Sequence, residues 1–146
     1  MRITSADLVA LRAKRAAPAV SSWRDGVLTL VVPGVLKNPL NQRWYHYTRL
    51  RWTRTWHEKT SGAILEADSR QGWRIVSALQ CCVHFHAYVQ RLFDSDGLQA
   101  ALKPCRDALV VYRVLADDSV ASGNLFDYEQ VKSAGWRGVV VTVRAR

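Results

Sequence analysis

A change of hydrophobic period near residue 95 restricts what this chain can fold into more than any other feature. From Leu79 to Gln90 the residues alternate. Leu79, Cys81, Val83, Phe85, Ala87 and Val89 share one face; Gln80, Cys82, His84, His86, Tyr88 and Gln90 share the other. A period of two over that length is a β-strand with one buried face. Past Asp96, the apolar residues Leu98, Ala101, Leu102, Cys105, Ala108, Leu109 and Tyr112 recur at helical spacing. Pro104 has no N–H for an unbroken ladder. The pattern therefore predicts a helical turn at 97–102 and a main helix at 103–113, with Pro104 near its first position.

The acids of this basic chain gather on the same stretch. Asp94, Asp96, Asp107, Asp117 and Asp118 lie within twenty-five residues, although the formal net charge is +9. Two aspartates two apart, just after a strand, aim at one point if the chain stays extended. A later acid brought back by the helix would complete an oxygen-ligand site, and magnesium takes one or two such carboxylates plus waters and phosphates. The plainer reading is that Asp94-Ser-Asp96-Gly97 is a turn and a helix N-cap, which Asp and Gly both suit. An EF-hand is excluded, because its twelfth position falls on Cys105. Lys103 would lie beside the aspartates, either neutralising them or stabilising charge on a phosphate. Asp107 either supports the metal ligands or complements the helix dipole.

Basic charge and a pI near 10 point to a polyanionic partner. No apolar run approaches a membrane span and no signal-peptide core is recognisable, so a cytoplasmic protein without a membrane partner is expected. Three cysteines, two of them adjacent, make neither a disulfide framework nor a zinc spacing. A length of 146 residues suits one domain. Residues 1–25 read as an N-terminal extension with a short helix capped by Ser5, and 26–146 as the domain.

Within the domain, Gly26–Val32 reads as a strand stopped by Pro33-Gly34, and a helix is expected from about Thr48 to Ser69. Trp52, Trp56, Ile64 and Leu65 should face inward, with Gly62 a weak point. No acid occurs between Gly26 and His57, and arginines alternate with Trp and Tyr over residues 43–56. Such a mixture suits phosphate contacts beside stacking surfaces. Leu125–Lys132 and Val139–Arg144 read as two final strands joined as a hairpin through Ala134–Gly138. His84 and His86 point together from the long strand. Lacking a clear third ligand, they read as a polar sheet face rather than a metal site.

The segment Asp94-Ser-Asp96-Gly97, then Lys103 and Asp107-Ala-Leu, then Leu115-Ala-Asp117-Asp118, resembles the RusA family of Holliday junction resolvases, small dimeric nucleases common in phages and prophages. Nearer the N-terminus, a strand ending at proline and leading to Asn41-Gln-Arg43-Trp-Tyr45 is similar to that family's proline-rich loop. The likeness covers about residues 26–145, with the tight match confined to 94–118. Gly97 departs from the family's usual asparagine, Phe93 from a basic residue of some members, and Lys103 lies about three residues further along than in the shortest members.

The resemblance implies an α+β fold, a mixed sheet with packed helices, assembled as a homodimer. It implies an endodeoxyribonuclease of recombination and repair, in bacteria or phage-infected hosts, that cuts four-way DNA junctions by paired nicks leaving 5′-phosphate and 3′-hydroxyl ends. Asp94, Asp96 and Asp118 would hold Mg2+, or Mn2+ in its place, with Asp117 beside them and Lys103 as a catalytic cation. Asp107 would support that set, and strand parity, which puts the histidine face where Asp94 and Asp96 would emerge, adds His86. Asn41, Arg43, Trp44, Tyr45, Arg49, Arg51 and Arg91 would contact DNA. The rival is a non-catalytic nucleic-acid-binding protein that works through residues 43–56. A PD-(D/E)xK nuclease is disfavoured, since no acid-x-lysine pair follows Asp94 or Asp96 on a strand.

Overall fold

The structure is a computed structural model that describes residues 20–68 and 80–146. Its chain order is β1 (Ser22–Arg24), β2 (Val27–Pro33), α1 (His46–Asp68), β3 (Cys81–Val89), α2 (Ser95–Val111), β4 (Leu125–Lys132) and β5 (Gly138–Ala145). A 3-10 turn, Val120–Ser122, precedes β4. The strands form one mixed sheet in the order β1-β2-β5-β3-β4, so the architecture is a small α+β domain. No helix among the described residues is long and apolar enough to cross a membrane.

Alternation decides the layers. Leu28, Leu30 and Val32 on β2, Val139, Val141 and Val143 on β5, and Val83, Phe85 and Ala87 on β3 are all buried on one face. Trp56 and Ile64 from α1 and Leu98, Leu102, Cys105 and Leu109 from α2 close over them. Burying Phe85 alone is worth about 2–3 kcal/mol. The opposite face carries Cys82, His84, His86 and Tyr88, all partly exposed.

Several expectations need correction. β4 and β5 do not pair with each other. β3 lies between them, parallel to β4 and antiparallel to β5. Ser133–Arg137 thus carries the chain over the end of β3 instead of closing a hairpin, and the Ser133 amide donates to the Val89 carbonyl at 2.8 Å. The physical reason lies in composition: Val139–Val143 is apolar and takes a central slot, whereas the charged β4 suits an edge. The hairpin is elsewhere. Ser22–Arg24 pairs with Val27–Thr29 across Asp25-Gly26, whose φ angles of 51° and 76° make the tight turn that an Asp-Gly pair favours. The folded sheet therefore begins inside the segment read as an extension. The helix capped by Ser5 lies outside the described residues, as does Leu79.

The two helices also depart from expectation in detail. α2 is one helix through Pro104, not a turn followed by a second helix. The missing N–H leaves only the Ala100 carbonyl without its ladder donor, and the buried ring joins the packed face. α1 passes Gly62 without a break. Ile64 is buried but Leu65 is 55% exposed, so the inward stripe excludes Leu65.

Candidate functional site

Asp94 stands where β3 has ended and α2 begins. Gln130 on β4 holds this corner: the Phe93 amide donates to its Oε1 at 2.8 Å, and its Nε2 donates to the Phe93 carbonyl at 2.7 Å. Asp94 has extended backbone (φ −68°, ψ 165°), and its Oδ1 accepts from the Gly97 amide at 2.9 Å as the helix N-cap. Such a cap is worth about 1 kcal/mol. The chain is helical from Ser95, so Asp96 lies in the first turn and not on an extended run. The expected alternation of the two carboxylates is therefore wrong in its premise. Both are exposed and both face the positive end of the helix.

A groove of about 590 Å³ opens beside Asp94, lined by Leu36, Asn38, Asn41, Gln42, Gln90 and Arg91 among others. It brings Asn41, Arg91 and Asp94 together from distant stretches of the sequence. Gly97 is part of its construction. A Cβ there would collide with the amide of Asn38 and the carboxylate of Asp94. Asn38 thus occupies the space beside the first turn that a side chain at 97 would need.

The second acid pair is elsewhere. Asp118 Oδ2 and its carbonyl accept from Arg106 Nη2 at 3.4 and 3.2 Å, while Arg106 Nη1 donates to the Tyr128 hydroxyl at 2.8 Å. The guanidinium also lies 4.3 Å over the Phe126 ring. Asp117 accepts from the Asp118 amide and the Ser119 hydroxyl. These bonds, led by the Ser119 hydroxyl, hold the Asp117 carboxyl below its ordinary value. Buried Asn124 ties this loop to the start of β3, accepting from the Cys81 amide and donating to the Asp117 carbonyl, each at 2.8 Å.

The two pairs therefore sit apart along α2. Asp94 caps its start, while Asp118 meets Arg106, twelve residues or about 18 Å further along the helix. Asp94, Asp96 and Asp118 do not bring their oxygens to one point within a chain; among the described residues only His84, His86 and Glu129 group three such ligand atoms within 4.8 Å. The expected single-chain ligand set of Asp94, Asp96, Asp117 and Asp118 is corrected accordingly. α2 carries the chain away from Asp94, and β4, which returns it, brings Gln130 and not a further aspartate to that corner.

The supporting residues move with it. Lys103 is about 13 Å along the helix from Asp94 and pairs with Asp107 at 3.0 Å, both facing outward beside α1. The lysine is not at a helix junction because no junction exists at Pro104. His86 is on the sheet face turned away from α2, 3.6 Å from Glu129, and does not support Asp94 or Asp96.

The basic aromatic segment divides. Trp56 is buried and Trp52 partly so, with Trp44 packed 5.3 Å from Trp52. Arg43, Arg49, Arg51 and Arg54 are exposed. Tyr45 and Tyr47, 78% and 64% exposed, stack 6.4 Å apart, with Arg51 lying 5.9 Å over Tyr47. Flat rings and guanidinium groups standing in solvent can take bases and phosphates.

Asn38, Gln130, Asn124 and Arg106 were missed from sequence. Gln130 offered one signal: it faces the helix side of β4, where an amide needs a partner. Compared with models of known families the chain matches none, and no curated protein matches it.

Proposed function

We propose that this protein is a magnesium-dependent, structure-specific endonuclease that nicks branched DNA such as four-way junctions, working as a homodimer and leaving 5′-phosphate and 3′-hydroxyl ends. The observation that carries the reading is the groove in which Asn41 and Arg91 meet Asp94, with Asp96 unpaired beside it, on a chain of net charge +9. The donor set fits magnesium. Asp94 keeps one oxygen free of its cap bond and Asp96 keeps both, and two carboxylates plus waters and phosphates suffice for that ion. When bound, the ion supplies a low-pKa water and charge stabilisation for phosphodiester hydrolysis. Asn41 and Arg91 hold the DNA backbone in the groove, and the exposed arginines of α1 with Tyr45 and Tyr47 extend that track.

Asp117 and Asp118 enter this reading only from a second chain. In a dimer whose twofold axis sets one chain's α2 N-terminus against the other's α2 C-terminus, Asp118 of the partner subunit would join Asp94 and Asp96. An isologous pairing would build two such sites for opposed strands.

A labelled synthetic four-way junction, incubated with and without magnesium, tests the activity. Asp96→Asn should abolish nicking yet keep or strengthen junction binding, since it removes negative charge near phosphates. If Asp118→Asn is also inactive, co-expressing it with Asp96→Asn separates the two arrangements. Mixed dimers regain one intact site if the pairs act across the interface and none if they act within a chain. The non-catalytic reading is favoured by one observation, that Asp94, Asp117 and Asp118 each have a capping or pairing role. It prevails if wild type binds junctions but never nicks them in magnesium or manganese.

A further inference from the structure

We propose that His84, His86 and Glu129 form a binding site for a first-row divalent metal ion of the zinc type, on the sheet face turned away from both helices. The two histidines alternate along β3 and Glu129 stands opposite His86 on the neighbouring β4. One ligand atom from each lies within 4.8 Å of the other two.

Donor and acceptor accounting points to a cation. His84 Nδ1 is 2.9 Å from Asp127 Oδ2. A carboxylate only accepts, so Nδ1 carries the proton and Nε2 of the neutral ring presents a lone pair. That lone pair faces Glu129 Oε2, a second acceptor, at 3.2 Å. His86 Nδ1 lies 3.6 Å from the same oxygen, beyond a hydrogen bond. His86 Nε2 is buried without a partner, and its ring stacks on Tyr88 at 4.8 Å, so Nδ1 is the nitrogen left to meet a ligand. An imidazolium at His84 would reconcile its own contacts but leave His86 Nδ1 unused.

A metal ion takes the facing lone pairs of His84 Nε2, His86 Nδ1 and Glu129 Oε2 together, and leaves His86 Nε2–H as a buried donor without a partner. With metal–ligand bonds of about 2.0–2.1 Å, tetrahedral neighbours stand roughly 3.3 Å apart, a value that lies between the contacts of 3.2 and 3.6 Å. Two imidazoles and one carboxylate are a zinc set that leaves a fourth position for water or another ligand. Asp127 would then be the carboxylate that fixes the tautomer of a ligating histidine. The ion would tie edge strand β4 to β3. A groove of about 560 Å³ that includes His84, Asp127, Thr142 and Arg144 opens on one flank.

The test is a zinc titration of the purified full chain by calorimetry against a competing chelator, with cobalt substitution to report tetrahedral geometry in the visible spectrum. Wild type should bind one zinc per chain and melt at a higher temperature with zinc than with chelator. Glu129→Gln, an exposed position that leaves the core untouched, should lose the site, and so should His86→Ala. Asp127→Asn should weaken binding roughly 10- to 100-fold. Asp96→Asn should leave it unchanged, which separates this site from the magnesium reading. Absence of zinc binding by wild type, or binding that survives both Glu129→Gln and His86→Ala, overturns the proposal.

Discussion

Asp94 and Asp96 at the start of α2 share one hydrogen bond, from the Gly97 amide, whereas the oxygens of Asp117 and Asp118 are engaged by Ser119, the Asp118 amide and Arg106. Asp94 of the first pair lines a groove with Asn41 and Arg91; the second pair closes the loop that leads into β4. Equal clustering along the sequence thus conceals unequal freedom. A carboxylate already satisfied by protein donors must give them up before it binds a metal, whereas Asp96 and the second oxygen of Asp94 need not.

Substitutions should separate the pairs most sharply through stability. Arg106→Ala removes the partner of the Asp118 carboxylate and carbonyl and of the Tyr128 hydroxyl, and uncovers the Phe126 ring. Unpaired, partly buried acceptors predict a loss of about 2–3 kcal/mol in urea unfolding. Asp96→Ala, at an exposed position without partners, should stay within about 0.5 kcal/mol of wild type. If Arg106→Ala is neutral, the second pair is not the structural one.

Magnesium should sharpen the contrast with a smaller effect. An ion that binds only the folded state at ten times its dissociation constant adds about 1.4 kcal/mol, or a few degrees in melting temperature for a domain of this size. The rise should vanish in Asp96→Asn and persist in Asp117→Asn. A rise lost in neither variant would place the ion elsewhere, and His86 and Glu129 would be the next positions to change.

Much of the fold was legible because periods of two and 3.6 report burial directly. The alternation over Cys81–Val89 and the limits expected for β4 match the sheet, and helical spacing past Asp96 matches α2, whereas the break expected at Pro104 is absent. Sheet order was not, because neighbouring strands in sequence pair by default, and only the apolar density of Val139–Val143 against the charges of β4 argued otherwise. The Asp25-Gly26 pair carries a turn signal of its own, within the stretch that reads as an extension. For the site, the residue types were legible and their convergence was not. The spacing from Asp96 to Asp117 is also the spacing of a long helix, which separates its ends instead of joining them. The carboxylates that do meet histidines, Asp127 and Glu129, lie forty-three to forty-five residues beyond His84 in sequence, and parity alone does not reveal which strand a histidine will neighbour.

The smallest effect concerns acid titration of the second pair. The folded-state pKa of Asp117 is lowered from 3.8 by the Ser119 hydroxyl and then by the Asp118 amide. A depressed carboxylate stabilises the fold above its unfolded pKa, and that contribution disappears as pH falls through the lower folded value. The change should therefore fall below about pH 3.8, and it should be slight because the carboxylate is solvent-exposed. Asp117→Asn keeps a side-chain carbonyl for both donors but removes the titration. Wild type should lose stability slightly more steeply than this variant as pH drops below that point, as measured by thermal unfolding at closely spaced pH values. Ser119→Ala should remove most of the same difference, because its hydroxyl is the leading donor. A variant whose acid limb is steeper than wild type would mean that Asp117 is strained by its neighbours and not held by them, and the contrast with Asp94 and Asp96 would lose its basis.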